Sequence, residues 1–394
     1  VLPLIAEKEI RIMVKKDLSE IKKLFAKKTC RVDRIAQCYV SHTDTGTQIT
    51  VSTSSASSLP EEDFDLMLGM SKKALSGKIG KNQFNVAFPN DEEKDGGKQR
   101  LLVGLLDSQL ENPDLIKKYV EMLFANDAIP EANCMVQLAY GCYDVPAKAS
   151  DGAVLEDAGD TVYAFIQASV CPVAMLKPAL VWNGKSFEKQ TQAMAAGAPI
   201  CGFLFPAYDN RSSNIHAILY YSKSEANRYQ EFAQNITGVE VLPVSESAQK
   251  QLFASMVEQT LGRDCDFESV RDISKQLNQL ATEQADSVDS DPATADKADL
   301  RRVIQSTDSG QKHKDDLDGA YEEMVGDGNV KLETDNIVPG KTLKVESPAV
   351  KLSVSGEYAD LLETKIVDGR ECILLPIEDT ITVNGIRILP HMDV

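Results

Sequence analysis

Between Cys201 and Lys223 the chain reads CGFLFPAYDNRSSNIHAILYYSK, and Asp209, Asn210, Arg211 and Asn214 place a carboxylate, two amides and a guanidinium within six residues. Groups of this kind bind through directed hydrogen bonds, and a guanidinium matches the paired oxygens of a carboxylate or phosphate. Five of the chain's 24 aromatic residues fall in the same 23 positions. With Tyr143, Asp144, Lys177 and Tyr208 they make the candidate ligand-binding set. Arg211 and Lys177 would hold an anionic small molecule, and Asp144 or Asp209 would accept its hydrogen bonds or, in a hydrolase or transferase, serve as acid or base. The blander expectation is that Asp209 and Arg211 pair within the turn and pin the loop.

No catalytic signature completes this set. The sequence contains no GxSxG elbow, no HExxH and no supported Ser-x-x-Lys. Of the four histidines, His42 and His391 stand in loop or terminal positions, His313 opens an acidic helix, and His216 alternates within a strand beside the polar cluster. All four read as structural. Ser76-Gly-Lys-Ile-Gly-Lys-Asn imitates a phosphate loop, but Leu75 stands where the first glycine belongs and Asn82 where magnesium needs Ser or Thr, so a helix-ending turn is expected. Cys30, Cys38 and His42 lack zinc-module spacing, and the acidic run Asp151 to Asp160 lacks the oxygen spacing of a calcium loop. No catalytic residue, metal or cofactor is expected.

The elements around the polar cluster follow from periodicity. Ile200 to Phe205 and Ile215 to Tyr221 read as strands flanking a loop opened by Pro206. Upstream, Lys15 to Lys28 puts Leu18, Ile21, Leu24 and Phe25 on one helical face and lysines over the rest. Strands are expected at Arg31 to Val40, Thr47 to Ser52, Phe84 to Phe88, Met135 to Tyr143, Thr161 to Val173 and Ala179 to Trp182. Helices are expected after Leu59-Pro-Glu-Glu, at Gln99 to Leu110, and at Pro113 to Asn126 behind an Asn112 cap. Consecutive strands without intervening helices favour an α+β fold with a mixed or mostly antiparallel sheet over a doubly wound parallel one.

After Ser224 the pattern turns helical, at Ser224 to Asn235, Ser245 to Leu261 and Phe267 to Thr282. Glu283 to Asp299 reads as an acidic linker, followed by two short helices near Asp296 to Gln305 and His313 to Val325. Six short strand-like runs then fill the last sixty residues, punctuated by Asp368-Gly369 and Asn384-Gly385, dipeptides suited to tight hairpin turns. The expected division is a main domain at 13–282, an acidic linker with a helical hairpin at 283–330, and a small antiparallel β domain at 331–394.

Composition limits the function classes. A net charge of −18 argues against nonspecific nucleic-acid binding, which needs a surplus of Lys and Arg. Residues 1–40 hold ten Lys or Arg against five acids, leaving −23 for the rest. Nucleic-acid contact through this basic helix is the remote alternative, and a solvated face the plainer one. No run suits a membrane span, no secretory signal is visible, and the eight cysteines, none in a CxxC pair, look like buried thiols of a reducing compartment. The chain opens with Val1, and translation is expected to begin at Met13, directly before the amphipathic helix.

Several motifs carry a resemblance: LSGxxGxN at Leu75 to Asn82, YDVP at Tyr143 to Pro146, CPV with a following Lys at Cys171 to Lys177, GFxFPAxDxRxxNI at Gly202 to Ile215, and the turns at Asp368 and Val383. From about Met13 to Ile388 the chain resembles a bacterial domain-of-unknown-function family, number 4317, common in Gram-positive anaerobes. The resemblance implies a cytoplasmic bacterial protein beginning near VKKDLSEIKKLF and implies no activity. It also implies a Tyr more often at the position of His216, which weakens a catalytic role there. The expectation is a noncatalytic binding or interaction protein with an anionic small molecule or a protein as partner. The rival is an enzyme acting on an anionic small molecule.

Overall fold

Strands whose side chains alternate between two apolar faces dominate the first half of the molecule. The computed structural model describes residues 13–27, 31–43, 46–131, 133–148, 154–155, 161–182, 184–189, 193–285, 293–325, 331–338, 342–376 and 381–388. They divide into two units, within 1–245 and 246–394.

The first unit runs α1 (Lys15–Lys27), β1 (Arg31–Thr43), β2 (Gly46–Ser55), α2 (Glu61–Ala74), β3 (Gln83–Ala87), α3 (Lys98–Asp107), α4 (Pro113–Leu123), β4 (Asn133–Val145) and the short pair β5 (Ala147–Lys148) and β6 (Val154–Leu155). It continues with β7 (Thr161–Met175), β8 (Leu180–Trp182), β9 (Phe187–Lys189), β10 (Met194–Ala196), β11 (Cys201–Phe205), β12 (Ala207–Asp209), β13 (Ser212–Asn214), β14 (Ala217–Ser222) and α5 (Gln230–Thr237). The large sheet has the order β2-β1-β4-β7-β11-β14-β3, with β10 beside β7, and its pairings are antiparallel. The fold class is therefore α+β, with an antiparallel sheet clad by helices.

Alternation sets the layers. Ala36, Cys38, Val40, Val136, Leu138, Ile166, Ala168, Val170, Phe203 and Tyr220 pack on one face against α3, α4 and α5. Ile35, Ala139, Phe165, Leu204 and Leu219 turn to the other, where the apolar stripe of α1 and Leu68 of α2 cover them. The Asn112 side chain caps α4 as expected, accepting from the Asp114 and Leu115 amides at 3.1 Å.

One lateral row on the α2 side is polar. Gln37, Gln137, Ser169, Gly202, Tyr221 and Gln83 are successive partners across β1, β4, β7, β11, β14 and β3. Gln137 Nε2 donates to the Met67 carbonyl of α2 at 2.8 Å, and Gln83 Nε2 to the Ala74 and Ser76 carbonyls at 3.1 and 2.8 Å. At Gly202 a Cβ would stand 2.2 Å from the Ala168 carbonyl oxygen, so the row needs glycine there.

The second unit contains α6 (Glu246–Leu261), α7 (Phe267–Ala285), β15 (Thr294–Ala295), α8 (Lys297–Gln305), α9 (Asp308–Lys312), α10 (Asp316–Val325), β16 (Leu332–Glu333) and α11 (Thr334–Ile337). Three antiparallel hairpins follow: β17 (Thr342–Glu346) with β18 (Lys351–Ser355), β19 (Glu363–Val367) with β20 (Arg370–Leu374), and β21 (Ile381–Val383) with β22 (Ile386–Ile388). Both dipeptide turns are formed, with positive φ at Asp368 (49°), Gly369 (73°), Asn384 (51°) and Gly385 (83°).

The division falls at 245/246, ahead of the expected boundary at 282. The cause is burial: Phe253, Met256, Ile273 and Leu277 of α6 and α7 share a core with Leu300, Val303, Leu317 and Tyr321 of α8 and α10. The short helices of the expected linker are thus core elements, while 286–292 lies outside the described residues. The C-terminal strands form three small sheets, and among the described residues from 342 onward the buried apolar ones are Ala359 and Leu362, which lie between β18 and β19.

Candidate functional site

The strand-loop-strand around Arg211 resolves into β11, the small ladder β12–β13, and β14. β12 and β13 pair from Ala207 with Asn214 to Asp209 with Ser212, leaving Asn210 (φ 42°) and Arg211 (φ 61°) as a two-residue turn in the left-handed region. That geometry aims the Arg211 guanidinium at α1. Its Nη1 donates to Glu20 Oε1 at 2.7 Å, and its Nη2 to the Pro146 carbonyl at 2.6 Å. The same Glu20 oxygen accepts the Tyr208 hydroxyl at 3.0 Å and the Tyr143 hydroxyl at 3.1 Å.

Asp17, one turn before Glu20, completes the clamp. Residues three apart share a helix face, and the buried Asp17 carboxylate accepts the Val14 amide at 3.0 Å and also bonds the backbone of Asn210. Burial, with the nearby Asp209 and Glu20 charges, raises the Asp17 pKa. Burial and then the Glu20 charge raise the Tyr143 and Tyr208 hydroxyls as well, which keeps them neutral donors.

The candidate residues separate accordingly. Tyr143, Tyr208 and Arg211 meet at Glu20, and Asp209 and Asn214 lie in the same hairpin. The expected Asp209–Arg211 pair is not the one formed. Arg211 reaches Glu20, while Asp209 Oδ2 accepts Asn214 Nδ2 at 2.6 Å. Asn214 Oδ1 in turn accepts the His216 amide at 3.0 Å, and His216 stands in a turn before β14 with Nδ1 2.7 Å from Glu93 Oε1. Asp144 is exposed and, being next to Tyr143 in β4, faces away from α1. Lys177 lies past the end of β7, which runs about 40 Å beyond Tyr163 at a strand's rise per residue. The two carboxylates and two cations proposed from sequence do not converge.

Glu20 and Asp17 escaped the sequence reading. Their one local signal is that they are the acids of an otherwise lysine-rich helix, flanking the Leu18, Ile21, Leu24 stripe. The phosphate-loop imitation at Ser76 to Asn82 is a turn after α2, with Gly77 and Gly80 at positive φ, and its Gly77 carbonyl accepts Lys22 Nζ at 2.5 Å. Among the described residues no three His, Cys, Asp or Glu side chains gather as a metal would require. Cys30, His391 and most of the acidic run Asp151 to Asp160 lie outside them. Burial pushes the Cys38, Cys134 and Cys171 thiols up to about 12 and raises that of Cys201 well above its ordinary value, which makes them poor nucleophiles. A polar cleft of about 460 Å³ beside the start of α5 contains none of the candidates; Asp127, Arg228 and Glu231 are among the residues that line it.

A second feature is apolar. Beyond Pro172, β7 has passed the ends of its ladders with β4 and β11, and its strand partner there among the described residues is β10. The Leu176 amide donates to the Ala193 carbonyl at 2.8 Å, and between them lies the hairpin β8–β9. Leu180, Trp182 and Phe187 on this arm are 69, 55 and 66% exposed. Trp182 and Phe187 face one another across the pair, with ring centroids 5.2 Å apart. Met175 and Met194 are exposed at its base. Tryptophan occurs once in the chain, and it is placed here.

These features define an α+β protein on one large antiparallel sheet, its central polar cluster occupied in docking a helix. The family model described as Domain of unknown function (DUF4317) matches residues 13–386, and the chain belongs to that family. Among curated proteins none matches it. No helix among the described residues is long and apolar enough to cross a membrane.

Proposed function

We propose that this is a noncatalytic interaction protein of the bacterial cytoplasm, and that the β8–β9 arm makes its contacts. The observation that carries this reading is the exposure of Leu180, Trp182 and Phe187 on a two-stranded ribbon. Such a ribbon is marginally stable alone in water, and exposed aromatic and Met side chains are the types that anchor protein interfaces. The polar cluster supports the same reading, because the guanidinium that would hold an anion is spent on Glu20 and Pro146. The test replaces Phe187 by the photoreactive p-benzoylphenylalanine in the producing cell, with exposed Lys117 of α4 as the control position. Protein adducts at 187 well above those at 117 are expected. Equal yields at the two positions would refute the proposal.

A further inference from the structure

The arm's chemistry names its occupant. Along the arm its apolar residues are interspersed with Lys177, Lys185 and Lys189, all exposed, against a single Glu188. Residues 173–196 thus carry +2 on a chain of −18, leaving −20 for the remainder. A cationic apolar arm on an acidic body is complementary to that body. Arm-to-arm packing would set lysines against lysines, so the complementary surface is on the body itself. On α2, Glu61, Glu62, Asp63 and Asp65 are exposed around Leu66, which is 69% exposed. That helix offers four carboxylates and an apolar seat within six residues.

Resting on the interaction reading above, we infer that the arm docks on a second copy of this chain, the Trp182–Phe187 pair seating beside Leu66 of the partner's α2 with the lysines over its carboxylates. Reciprocal exchange about a two-fold axis closes such a dimer, because each copy supplies one arm and one acidic helix. Both halves of the contact are unlike in charge, so association is steered at low salt and weakens as salt screens it.

The experiment is sedimentation velocity of the full chain over a concentration series, with fluorescence of Trp182 read in parallel. A dimer is expected, its formation shifting the emission to the blue and shielding Trp182 from iodide. Trp182→Ala and Phe187→Ala should each weaken the dimer about 30-fold or more, the loss typical of an aromatic hot spot. The triple variant Lys177→Glu, Lys185→Glu, Lys189→Glu leaves the apolar residues in place and should also give monomer. Adding Glu62→Lys, Asp63→Lys and Asp65→Lys should restore the dimer. Unchanged far-UV circular dichroism in each variant shows that association rather than folding was altered. A wild-type monomer at all concentrations, a dimer indifferent to the arm variants, or charge-reversed α2 that fails to restore association would each overturn the inference. So would a monomer whose Trp182 emission shifts on phosphatidylglycerol vesicles, since that assigns the arm to a membrane surface. A monomer that still crosslinks to another protein at position 187 removes the second copy and keeps the interaction reading; a monomer without adducts removes both.

Discussion

Replacing Glu20 by Ala removes the one acceptor shared by Arg211, Tyr208 and Tyr143. The Glu20 and Arg211 side chains are each only 20% exposed, so little solvent screening compensates the loss. Breaking one side of a buried ion pair costs about 3–5 kcal/mol, most of it from the charge left behind. Arg211 keeps the Pro146 carbonyl and one-fifth of its surface in water, which places the expected loss near the lower end, about 3 kcal/mol. For a unit of this size that corresponds to a fall in Tm of roughly 6–12 °C. Because the chain has two units, the assay must localise the effect. Hydrogen exchange over residues 13–27 reads the docking of α1 directly, and urea unfolding followed by circular dichroism gives the first unit's transition. Glu20→Gln, which retains an acceptor oxygen but no charge, should lose about half as much. A cycle with Arg211→Met should return a coupling of about 1–3 kcal/mol. Exposed Lys23 on the same helix is the control, and its Ala variant should change stability by less than about 0.5 kcal/mol. A Glu20→Ala protein within that margin, or zero coupling to Arg211, would refute the clamp.

The buried thiols make a separate prediction: at pH 8 a maleimide should label Cys142, Cys265 and Cys372 in the native protein, spare Cys38, Cys134, Cys171 and Cys201, and reach those four only in denaturant, as mass mapping of the adducts would show. His313 bridges Asp264 and Asp316 through its two ring nitrogens at 2.9 Å each, and the Asp264 bond and then the Asp316 bond raise its pKa above 6.5. Its stabilisation is therefore fully present below pH 6.5 and lost as pH rises through the raised value; thermal melts of His313→Gln should lack that fall. Asp17 behaves with the opposite charge and the same direction. Its carboxyl pKa is raised by burial, so the folded state favours the protonated form and stability declines from pH 3.8 upward through the raised value. Asp17→Asn should flatten that part of the profile in urea titrations. Gly202→Ala, which drives a Cβ onto the Ala168 carbonyl, should destabilise the first unit by about 2 kcal/mol or more, measured as a urea midpoint.

The sheet was legible because alternation is local: runs such as Arg31 to Val40 and Met135 to Tyr143 carry their own period, and the structure extends them only by a few residues, to Arg31–Thr43 and Asn133–Val145. The two hairpin turns at Asp368 and Asn384 were legible for the same reason, since the dipeptide itself selects positive φ. The polar cluster was half legible. Aromatic density and turn residues marked the hairpin, but its partner Glu20 is 191 positions away and sits in a helix whose lysines suggested a solvated face. Strand alternation by itself puts Asp144 and Tyr143 on opposite faces of β4. The boundary expected at 282 missed because helices show which face is apolar, not which neighbour covers it. The run Ala179 to Trp182 reads as a strand in the apolar arm, yet nothing in so short a run distinguishes a buried strand from an exposed one.

The distance along the chain between Glu20 and Arg211 also sets a schedule. Synthesis at about 5–20 residues per second makes α1 roughly 10–40 s before the arginine that holds it. For that interval Leu18, Ile21, Leu24 and Phe25 face a sheet that still lacks β14 and its Leu219, and Asp17 and Glu20 have no hairpin to clamp. A nascent chain arrested before residue 211 should therefore present α1 to proteases and chaperones, and one arrested well beyond β14 should not.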